Sequence, residues 1–395
     1  MSTTRSIPCL FARAGTSRGA FFLKEDLPTD PAVRDAVVLA AYGSPDSRQI
    51  DGIGGGDPLT SKVAVVSASS RPEADVDYTF GQVGIDVGEI FWVGNCGNMS
   101  SGVGPFAIRR GLVPAVSPIT QVRIYNTNTN KLLIADVRVN AAGEVEEDGD
   151  TTISGVPGSG APILLDFGDC GGAATGSVLP TGQTCEPVTL SNGTTCQVSI
   201  VDAATPFVFV NAKDLSMTGT ESAAQIDAHP SLPGLLEEVR AYAARAIGLV
   251  SGNQVAKEVS PSIPRVVAVS QPQDYIAADG TLIPAETLTV IARQQSMQRT
   301  HKTYAVTGAL CTAIAGAIEG TIVNQVAKPT GKHFVIGHPG GIISAQVKVD
   351  VRGADIAVCK ASIVRTARAI MDGSVIIPSK VWDNAGKPLA TAGLL

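Results

Sequence analysis

The sequence predicts an α+β protein made of two similar halves. Short runs rich in Val, Ile and Phe recur along its 395 residues, separated by Gly, Pro, Asp and Asn, which is typical of strands bounded by turns. Two other segments carry almost no charge except near their ends, so each predicts a helix that is buried inside a sheet. These helices occupy corresponding places, because each follows strands and a turn and is followed by more strands. The layout therefore predicts a pseudo-repeat.

The strands are predicted from the apolar runs, taken in chain order. Each run is short, rich in β-branched or aromatic residues, and bounded by turn residues. The runs are residues 62–66, 89–93, 121–125, 132–139, 198–201, 207–210, 266–269, 288–292, 334–336 and 345–351.

Four helices are predicted. Residues 30–42 begin with Asp30 and a proline, which is a favourable helix start, and residues 235–247 place apolar side chains at helical spacing. The two apolar helices are residues 98–110 and 303–318. Pro105 lies inside the first of them, which predicts a late helix start or a kink.

The boundary between the halves is predicted at residues 176–184, a polar loop with Pro and Gly. The first unit is then residues 1–180, which carries Lys62 and Cys96, and the second unit is residues 181–395. We expect about the last 30 residues to pack back on the first unit.

Composition excludes several classes of protein. There are 30 Lys and Arg against 36 Asp and Glu, and the pI near 5.3 leaves no basic surface for nucleic acid. No apolar run reaches the roughly 18 residues of a membrane span, and the N-terminus lacks the apolar core of a signal peptide, so a cytoplasmic location is expected. The seven cysteines form no C-x-x-C pair, the four histidines form no H-E-x-x-H motif, and no metal site is predicted.

Cys96 is the strongest single candidate for chemistry. It follows a predicted strand and precedes a buried helix, within the sequence G-N-C-G-N. The free N–H groups and the dipole at a helix N-terminus stabilise a thiolate and bind anions. The flanking residues also have a simpler interpretation, because Asn95 or Asn98 can cap the helix and Gly97 can allow a tight turn.

Lys62 is the second candidate. It begins an apolar strand after the turn Gly54-Gly55-Gly56. Burial would lower the pKa of its amine and create a neutral base near pH 7, although lysines at strand starts often extend to water. The turn is not a P-loop, because G-x-x-x-x-G-K-[ST] is missing and a strand follows it, so nucleotide binding is not expected.

Three polar clusters have the composition typical of carboxylate sites. They are R-A-G-T-S-R at residues 13–18, R-T-H-K at 299–302 and H-P-G-G at 338–341. Each has a structural alternative, because Arg13, Arg18 and Arg299 can form ion pairs and His338 can complete a turn.

Three long motifs, in order, resemble the PrpF family. They are R-A-G-T-S-R-G-A-F-F, S-P-D-S-R-Q-I-D-G-I-G-G-G-D-P-L-T-S-K-V-A-V-V and G-N-C-G-N-M-S-S-G-V-G-P-F-A-I, and the resemblance runs from about residue 8 to residue 378. N-C-G-N, together with T-G-A at residues 307–309, also resembles the diaminopimelate-epimerase fold. This implies two domains, each a curved, mostly antiparallel, barrel-like sheet around a central helix. Both helix N-termini would then point into an active site in the cleft between the domains.

The resemblance implies an activity as well. The PrpF family contains isomerases of 2-methylaconitate, aconitate, 3-methylitaconate and 4-oxalomesaconate. We therefore expect a cofactor-independent isomerase of an unsaturated di- or tricarboxylic acid, with a homodimer left open as its oligomeric state. The family's lysine of T-S-K and cysteine of N-C-G-N are taken as the acid/base pair, and these positions are Lys62 and Cys96 here.

One departure from the related epimerases bears on the function. Amino-acid epimerases of this fold use two cysteines, one from each half, whereas aligning T-G-A places Ala305 at the second position and Cys311 deeper in the helix. A two-thiol epimerase is therefore disfavoured. A racemase or epimerase of an amino or hydroxy acid remains the alternative, and it would need another acid on the far side of the substrate.

The hypothesis is a proton transfer. Neutral Lys62 removes an allylic proton and the Cys96 thiol returns one, which moves the double bond or interconverts cis and trans forms. The two roles can also be exchanged. Residues expected to bind the substrate are Arg13, Thr16, Ser17, Arg18, Ser61, Asn95, Gly97, Asn98, Ser100, Thr300, His301, Lys302, Thr307, Gly308, His338 and Gly340.

Overall fold

The computed structural model describes residues 3–383 except 93, 169, 329–332 and 354. Strands make up most of the regular secondary structure in these residues. The strands are β1 (Thr4–Ala14), β2 (Ser17–Leu23), β3 (Lys62–Ala68), β4 (Val76–Val83), β5 (Ile90–Phe91), β6 (Ile119–Asn126), β7 (Lys131–Arg138), β8 (Ile163–Asp166), β9 (Glu186–Thr189), β10 (Thr195–Ala203), β11 (Thr205–Asn211), β12 (Arg265–Ser270), β13 (Tyr275–Ile276), β14 (Leu282–Ile283), β15 (Val290–Ser296), β16 (Arg299–Thr300), β17 (Phe334–His338), β18 (Gly341–Arg352), β19 (Asp355–Arg365) and β20 (Ala367–Pro378).

The helices are fewer and mostly short. They are α1 (Pro31–Tyr42), α2 (Gly97–Arg109), α3 (Ala223–Asp227), α4 (Leu232–Ala246), α5 (Ala256–Val259), α6 (Val306–Gly316), α7 (Ile322–Val326) and α8 (Ser379–Asp383). The predicted mixed class, with a large sheet and few helices, is confirmed. Every predicted strand and helix overlaps an observed one, although Val93, at the end of one predicted strand, lies outside the described residues.

The strand pairing of the first half is repeated in the second. Along β1, β2, β3, β4, β6 and β7 the successive pairs are antiparallel, parallel, antiparallel, parallel and antiparallel. The same alternation runs along β10, β11, β12, β15, β17 and β18. In the chain α2 follows β5 and α6 follows β16, so the two helices occupy equivalent places in the repeat.

The C-terminal strands belong to the sheet of the first half. β18 pairs with β17 on one side and with β19 on the other, which joins the two sheets. β19 pairs with β8, and β20 pairs with β1 along its length. Because β19 and β20 are separated only by Thr366, the two ends of the first sheet come together, and the sheet curls around α2.

Both central helices are buried, as their composition requires. Every residue of α2 from Gly97 to Ile108 is buried, and so is every residue of α6 from Val306 to Ala315. Apolar side chains of both helices belong to one continuous hydrophobic core. The expectation that Pro105 delays the start of α2 is wrong, since α2 begins at Gly97 and continues past the proline to Arg109.

Gly97, the first residue of α2, packs against Val306, the first residue of α6, and this contact permits a test of the packing. A Cβ added to Gly97 would lie 2.4 Å from Val306 Cγ1, so we expect Gly97→Ala to lower the free energy of unfolding by about 1–3 kcal/mol through overpacking. Urea denaturation measures this change.

Gly234→Ala is the matched control. Gly234 is exposed in α4, and its added Cβ would meet no atom within 4 Å. The control variant should be stabilised by up to about 1 kcal/mol, because alanine favours a helix more than glycine does. A Gly97→Ala protein as stable as the unmodified one would contradict the described contact between α2 and α6.

Candidate functional site

A cavity of about 150 Å³ lies at the N-terminal ends of α2 and α6. The start of α2 contributes Cys96, Gly97 and Asn98, and the start of α6 contributes Ala305 and the residues next to it. A cavity of this size suits a small organic molecule. The free N–H groups of two helix starts also make the cavity favourable for anions.

Lys62 enters the cavity as the first residue of β3. The side chain is buried, its Nζ donates to Gln82 Oε1, and the ammonium position lies 5.4 Å from the centre of the Phe80 ring. Gln82 is held in turn, because its Nε2 donates to the carbonyl oxygens of Pro58 and Ser61 at 3.2 Å and 2.9 Å. The amide therefore presents its oxygen to Lys62.

The surroundings of Lys62 favour the neutral amine. Burial lowers the pKa of Lys62 from its usual value, a charge on Cys96 raises it, the neighbouring Arg265 lowers it further, and Asp57 raises it, with a net lowering. Burial thus shifts the pKa of Lys62 in the direction that a neutral base requires.

Cys96 precedes α2 as its N-cap residue. Its side chain makes no capping hydrogen bond and is half-buried, so the thiol is available to the cavity that it lines. Asn98 does not cap the helix with its side chain; instead its Oδ1 accepts from the backbone N–H of Thr16 and its Nδ2 donates to Thr16 Oγ1. The Asn98 side chain therefore ties the start of α2 to the β1–β2 turn.

Ala305 stands at the N-cap of α6, as Cys96 does at the N-cap of α2. The resemblance to amino-acid epimerases implies that the second cysteine of a two-thiol enzyme would occupy this position. Cys311 lies deeper in α6, fully buried, with its Sγ donating to the carbonyl oxygen of Val201 at 3.5 Å, and burial raises the pKa of its thiol well above the usual value. Cys311 is thus a packing residue.

His301 lines the same cavity in its neutral form. Burial lowers the pKa of His301 to about 3, and the nearby Arg265 and Lys62 contribute to this shift. Its Nδ1 accepts from the backbone N–H of Thr303 at 3.1 Å, which places the ring proton on Nε2. His301 can therefore donate a hydrogen bond but carries no charge at neutral pH.

The predicted site residues fall into two groups. Those that line the cavity are Ser17, Lys62, Cys96, Gly97, Asn98, Thr300, His301, Lys302 and Thr307. Those that do not are Arg13, Thr16, Arg18, Ser61, Asn95, Ser100, Gly308, His338 and Gly340. Within the lining group, the hydroxyl oxygens of Ser17 and Thr300 are buried and contact no partner among the residues described.

Most of the second group is engaged by other protein groups. Arg13 Nη1 donates to the carbonyl oxygen and the hydroxyl of Thr366, at 2.9 Å and 3.1 Å. Ser61 Oγ donates to Gln49 Oε1, and the hydroxyl of Ser100 donates to Asn95 Oδ1. Among the remaining members, Thr16 Oγ1 accepts a hydrogen bond from Asn98, and the guanidinium of Arg18 lies over the ring of Phe11. Gly308 lies in α6. The ring of His338 stacks on that of Tyr304, and its Nδ1 accepts from the N–H of Gly340.

Several residues of the cavity were missed by the sequence analysis. Asp57 forms a 2.7 Å ion pair with Lys302, which joins the Gly-rich turn of the first half to the second half. Gln82 orients Lys62, and Arg265 lies beside both Lys62 and Cys96. The sequence did contain a signal for Arg265, because a basic residue also begins an apolar run there. R-V-V-A-V at residues 265–269 repeats the pattern of K-V-A-V-V at residues 62–66.

Helices able to cross a membrane and clusters of metal-ligating side chains are both absent from the described part of the chain. None of its helices has both the length and the apolar character needed to cross a membrane. In the same residues, no three His, Cys, Asp or Glu side chains are grouped so that they could hold a metal ion.

The chain is similar to characterised isomerases along nearly its whole length. It is 48% identical over 380 residues to 3-methylitaconate isomerase of Eubacterium barkeri, covering 95% of this chain and 98% of the relative. It is 42% identical over 375 residues to (4E)-oxalomesaconate Delta-isomerase of Novosphingobium sp. (strain KA1), covering 94% and 98%. It is 37% identical over 391 residues to 2-methyl-aconitate isomerase of Cupriavidus necator, covering 95% and 98%.

Solved structures support the same relationship. The crystal structure of methylitaconate-delta-isomerase matches with a TM-score of 0.80 and 46% identity, covering 96% of this chain and 98% of that one. A hydroxyproline epimerase from Agrobacterium vitis has a TM-score of 0.59 at 12% identity, covering 100% and 96%, and shares the fold. The model of the PrpF protein family matches residues 4–378. The chain therefore belongs to the PrpF family, and it is an isomerase.

Proposed function

We propose that this protein isomerises an unsaturated di- or tricarboxylic acid of the methylitaconate, methylaconitate or oxalomesaconate type, without a cofactor. One observation carries the proposal. The buried Lys62 and Cys96, an N-cap residue whose thiol makes no capping hydrogen bond, line one cavity at two helix N-termini. The names of the relatives point to the same class of small acids.

Lys62 acts as the base. Its neutral amine removes a proton from a carbon that is allylic to the double bond and next to a carboxylate or ketone, and becomes an ammonium ion. The lowered pKa of Lys62 supports this role, because a base must be unprotonated at the working pH. Gln82 accepts a hydrogen bond from Nζ and so holds the amine in place.

Cys96 acts as the acid. Its thiol gives a proton to the other end of the allylic system, which moves the double bond, or to the same carbon after rotation, which interconverts cis and trans forms. Backbone N–H groups of Gly97, Asn98 and Thr307 at the two helix starts stabilise the dienolate formed between the two transfers.

The carboxylates are bound by the polar lining. The buried hydroxyls of Ser17 and Thr300 have donor capacity to spare, and the Nε2–H of His301 is a further donor. Lys302 adds a cation at the edge of the cavity. A substrate with two or three carboxylates matches several anion-binding groups in one small space.

The proposal includes the finer description of the fold. Each half, residues 1–180 and 181–395, forms a domain of diaminopimelate-epimerase type, except that strands β19 and β20 of the second half complete the sheet of the first. The active site lies in the cleft between the two domains. The repeated strand pairing around α2 and α6 supports this description. Ala305 at the N-cap of α6 argues against the alternative of a racemase or epimerase, because that alternative needs a second acid there.

The test is incubation of the purified protein in D₂O with a panel of unsaturated acids, followed by NMR. The panel contains cis- and trans-aconitate, 2-methylaconitate, methylitaconate and 4-oxalomesaconate, and L- and D-amino acids serve as the comparison. We expect one or more of the unsaturated acids to isomerise with uptake of deuterium at an allylic carbon. Deuterium uptake at the α-carbon of an amino acid, with none in the panel, would overturn the proposal in favour of a racemase.

A further inference from the structure

Arg265 is a cation of the cavity that has no acidic partner in the part of the chain described. None of the ion pairs found there includes it, whereas Lys302 is paired with Asp57. Its Nη1 donates to Thr307 Oγ1 over a long 3.3 Å, and its Nε is fully buried without an acceptor. A buried guanidinium nitrogen without an acceptor costs free energy unless an anion completes its hydrogen bonding.

The internal repeat relates Arg265 to Lys62. Lys62 is the first residue of β3 and Arg265 is the first residue of β12, and these strands hold the same place in the two halves, each parallel to the strand before it. The N-cap positions of the central helices are related in the same way, with Cys96 in the first half and Ala305 in the second. The second half thus has arginine and alanine where the first half has the amine and the thiol.

This exchange changes the chemistry of the second half. Lysine can lose its proton when it is buried, whereas arginine stays charged and offers a planar fork that matches a carboxylate. Alanine cannot transfer a proton at all. The first half of the cavity is therefore equipped for proton transfer and the second half for holding an anion.

We propose that Arg265 binds the substrate carboxylate adjacent to the carbon that loses its proton, with its guanidinium group donating to the carboxylate oxygens. The assignment rests on the proposed function for the identity of the substrate. Arg265, Lys62 and Cys96 line the same small cavity, and charge on one affects the others. A carboxylate on this fork consequently lies beside the proton-transfer pair, and its oxygens receive negative charge when the dienolate forms, so Arg265 stabilises the intermediate as well as the bound substrate.

The experiment measures binding without turnover. Tricarballylate is a saturated tricarboxylate that has no double bond to move, and its affinity is measured by isothermal titration calorimetry for the unmodified protein, Arg265→Gln and Arg265→Lys. We expect Arg265→Gln to weaken binding about 10- to 100-fold, because hydrogen bonds to a charged partner are lost. Arg265→Lys keeps the charge but loses the fork, so its affinity should lie between the two.

Arg245→Gln is the control, since it removes one positive charge from an exposed position on α4. It should bind like the unmodified protein. In assays of the acid that isomerises, Arg265→Gln should lower kcat as well as raise KM, whereas a carboxylate bound far from the reacting carbon would change KM alone. Circular dichroism and thermal unfolding confirm that each variant is folded.

The outcomes separate this inference from the proposed function. A folded Arg265→Gln protein that binds tricarballylate as tightly as the unmodified protein overturns the assignment of Arg265, and so does absence of binding to the unmodified protein. Loss of binding in Arg265→Gln supports the carboxylate site even if no acid of the D₂O panel exchanges a proton. Absence of proton exchange with every acid of the panel would overturn the proposed isomerisation, whereas the assignment of Arg265 as a carboxylate-binding residue would stand.

Discussion

Lys62→Met is expected to lower kcat for isomerisation by about 10²–10⁴-fold, the range for loss of a general base. Methionine fills a similar space beside Phe80 but has no group that can accept a proton. Because Lys62 is buried, bulk solvent does not readily take the place of the missing base. The measurement is the initial rate of isomerisation by NMR, together with loss of the allylic proton from the substrate in D₂O. Turnover by folded Lys62→Met close to that of the unmodified protein would eliminate Lys62 as the base.

The pH dependence supplies an independent readout of the same role. A base must be unprotonated, so kcat/KM should rise with pH through the pKa of Lys62, which burial places below the usual value for lysine. Gln82→Glu puts a negative charge where Lys62 now meets a neutral amide oxygen. That charge favours the ammonium form, raises the pKa of Lys62, and should move the ascending limb to higher pH by about one pH unit or more.

Gln82→Met separates charge from position. It removes the hydrogen bond to Lys62 without adding a charge, so it should lower kcat while the ascending limb stays below that of Gln82→Glu. Identical pH profiles for the unmodified protein and Gln82→Glu would show that Lys62 is not the titrating base.

The parts of the fold that sequence could predict are those whose burial is complete. α2 and α6 are apolar on every side, and such a helix can be stable in water only when it is enclosed. Strands such as β3 and β11 are buried over most of their length and appear as continuous apolar runs. For these elements local composition and final environment agree.

The missed strands are those whose environment is mixed. β19 and β20 expose residues on both faces, so they show neither a continuous apolar run nor a clean alternation. β1 contains Pro8 as well as Arg5 and Arg13, which hide its strand pattern. Each is held in place by long-range pairing, β20 with β1 and β19 with β8, and that pairing is not visible in local sequence.

The candidate site shows the same division. Lys62 and Cys96 lie beside glycine-rich turns, which made them identifiable as candidates in the sequence, and the structure brings both to one cavity. Gln82 lies inside β4 and Arg265 begins β12. Their importance follows from what the folded chain places next to them, although the repeated strand pattern was a signal for Arg265. Arg13 and His338 have side chains suited to binding carboxylates, but neither lines the cavity. Each is hydrogen-bonded to other protein groups instead.

Cys96→Ala is expected to lower kcat for isomerisation by about 10²–10⁴-fold, while leaving the first half of the reaction intact. Lys62 should still remove the allylic proton, exchange its ammonium protons with solvent, and return a deuteron to the same carbon. NMR in D₂O should therefore show deuterium entering the substrate without formation of the product isomer. Alanine fits at this position because the equivalent N-cap of α6 is Ala305.

Starting from the product isomer, the two variants should show the opposite pattern of deuterium exchange. Comparing the two directions therefore determines which of Lys62 and Cys96 is the base and which is the acid. Starting from the product of double-bond migration, the Cys96 thiolate removes the proton, so Cys96→Ala should show no exchange and Lys62→Met should exchange without forming substrate. The opposite pattern, with exchange in the substrate surviving in Lys62→Met and lost in Cys96→Ala, would show that the thiolate is the base toward the substrate and the Lys62 ammonium is the acid. Each variant thus reports the competence of the other residue, because a single remaining proton-transfer group can catalyse exchange at its own carbon and cannot complete the transfer between the two carbons.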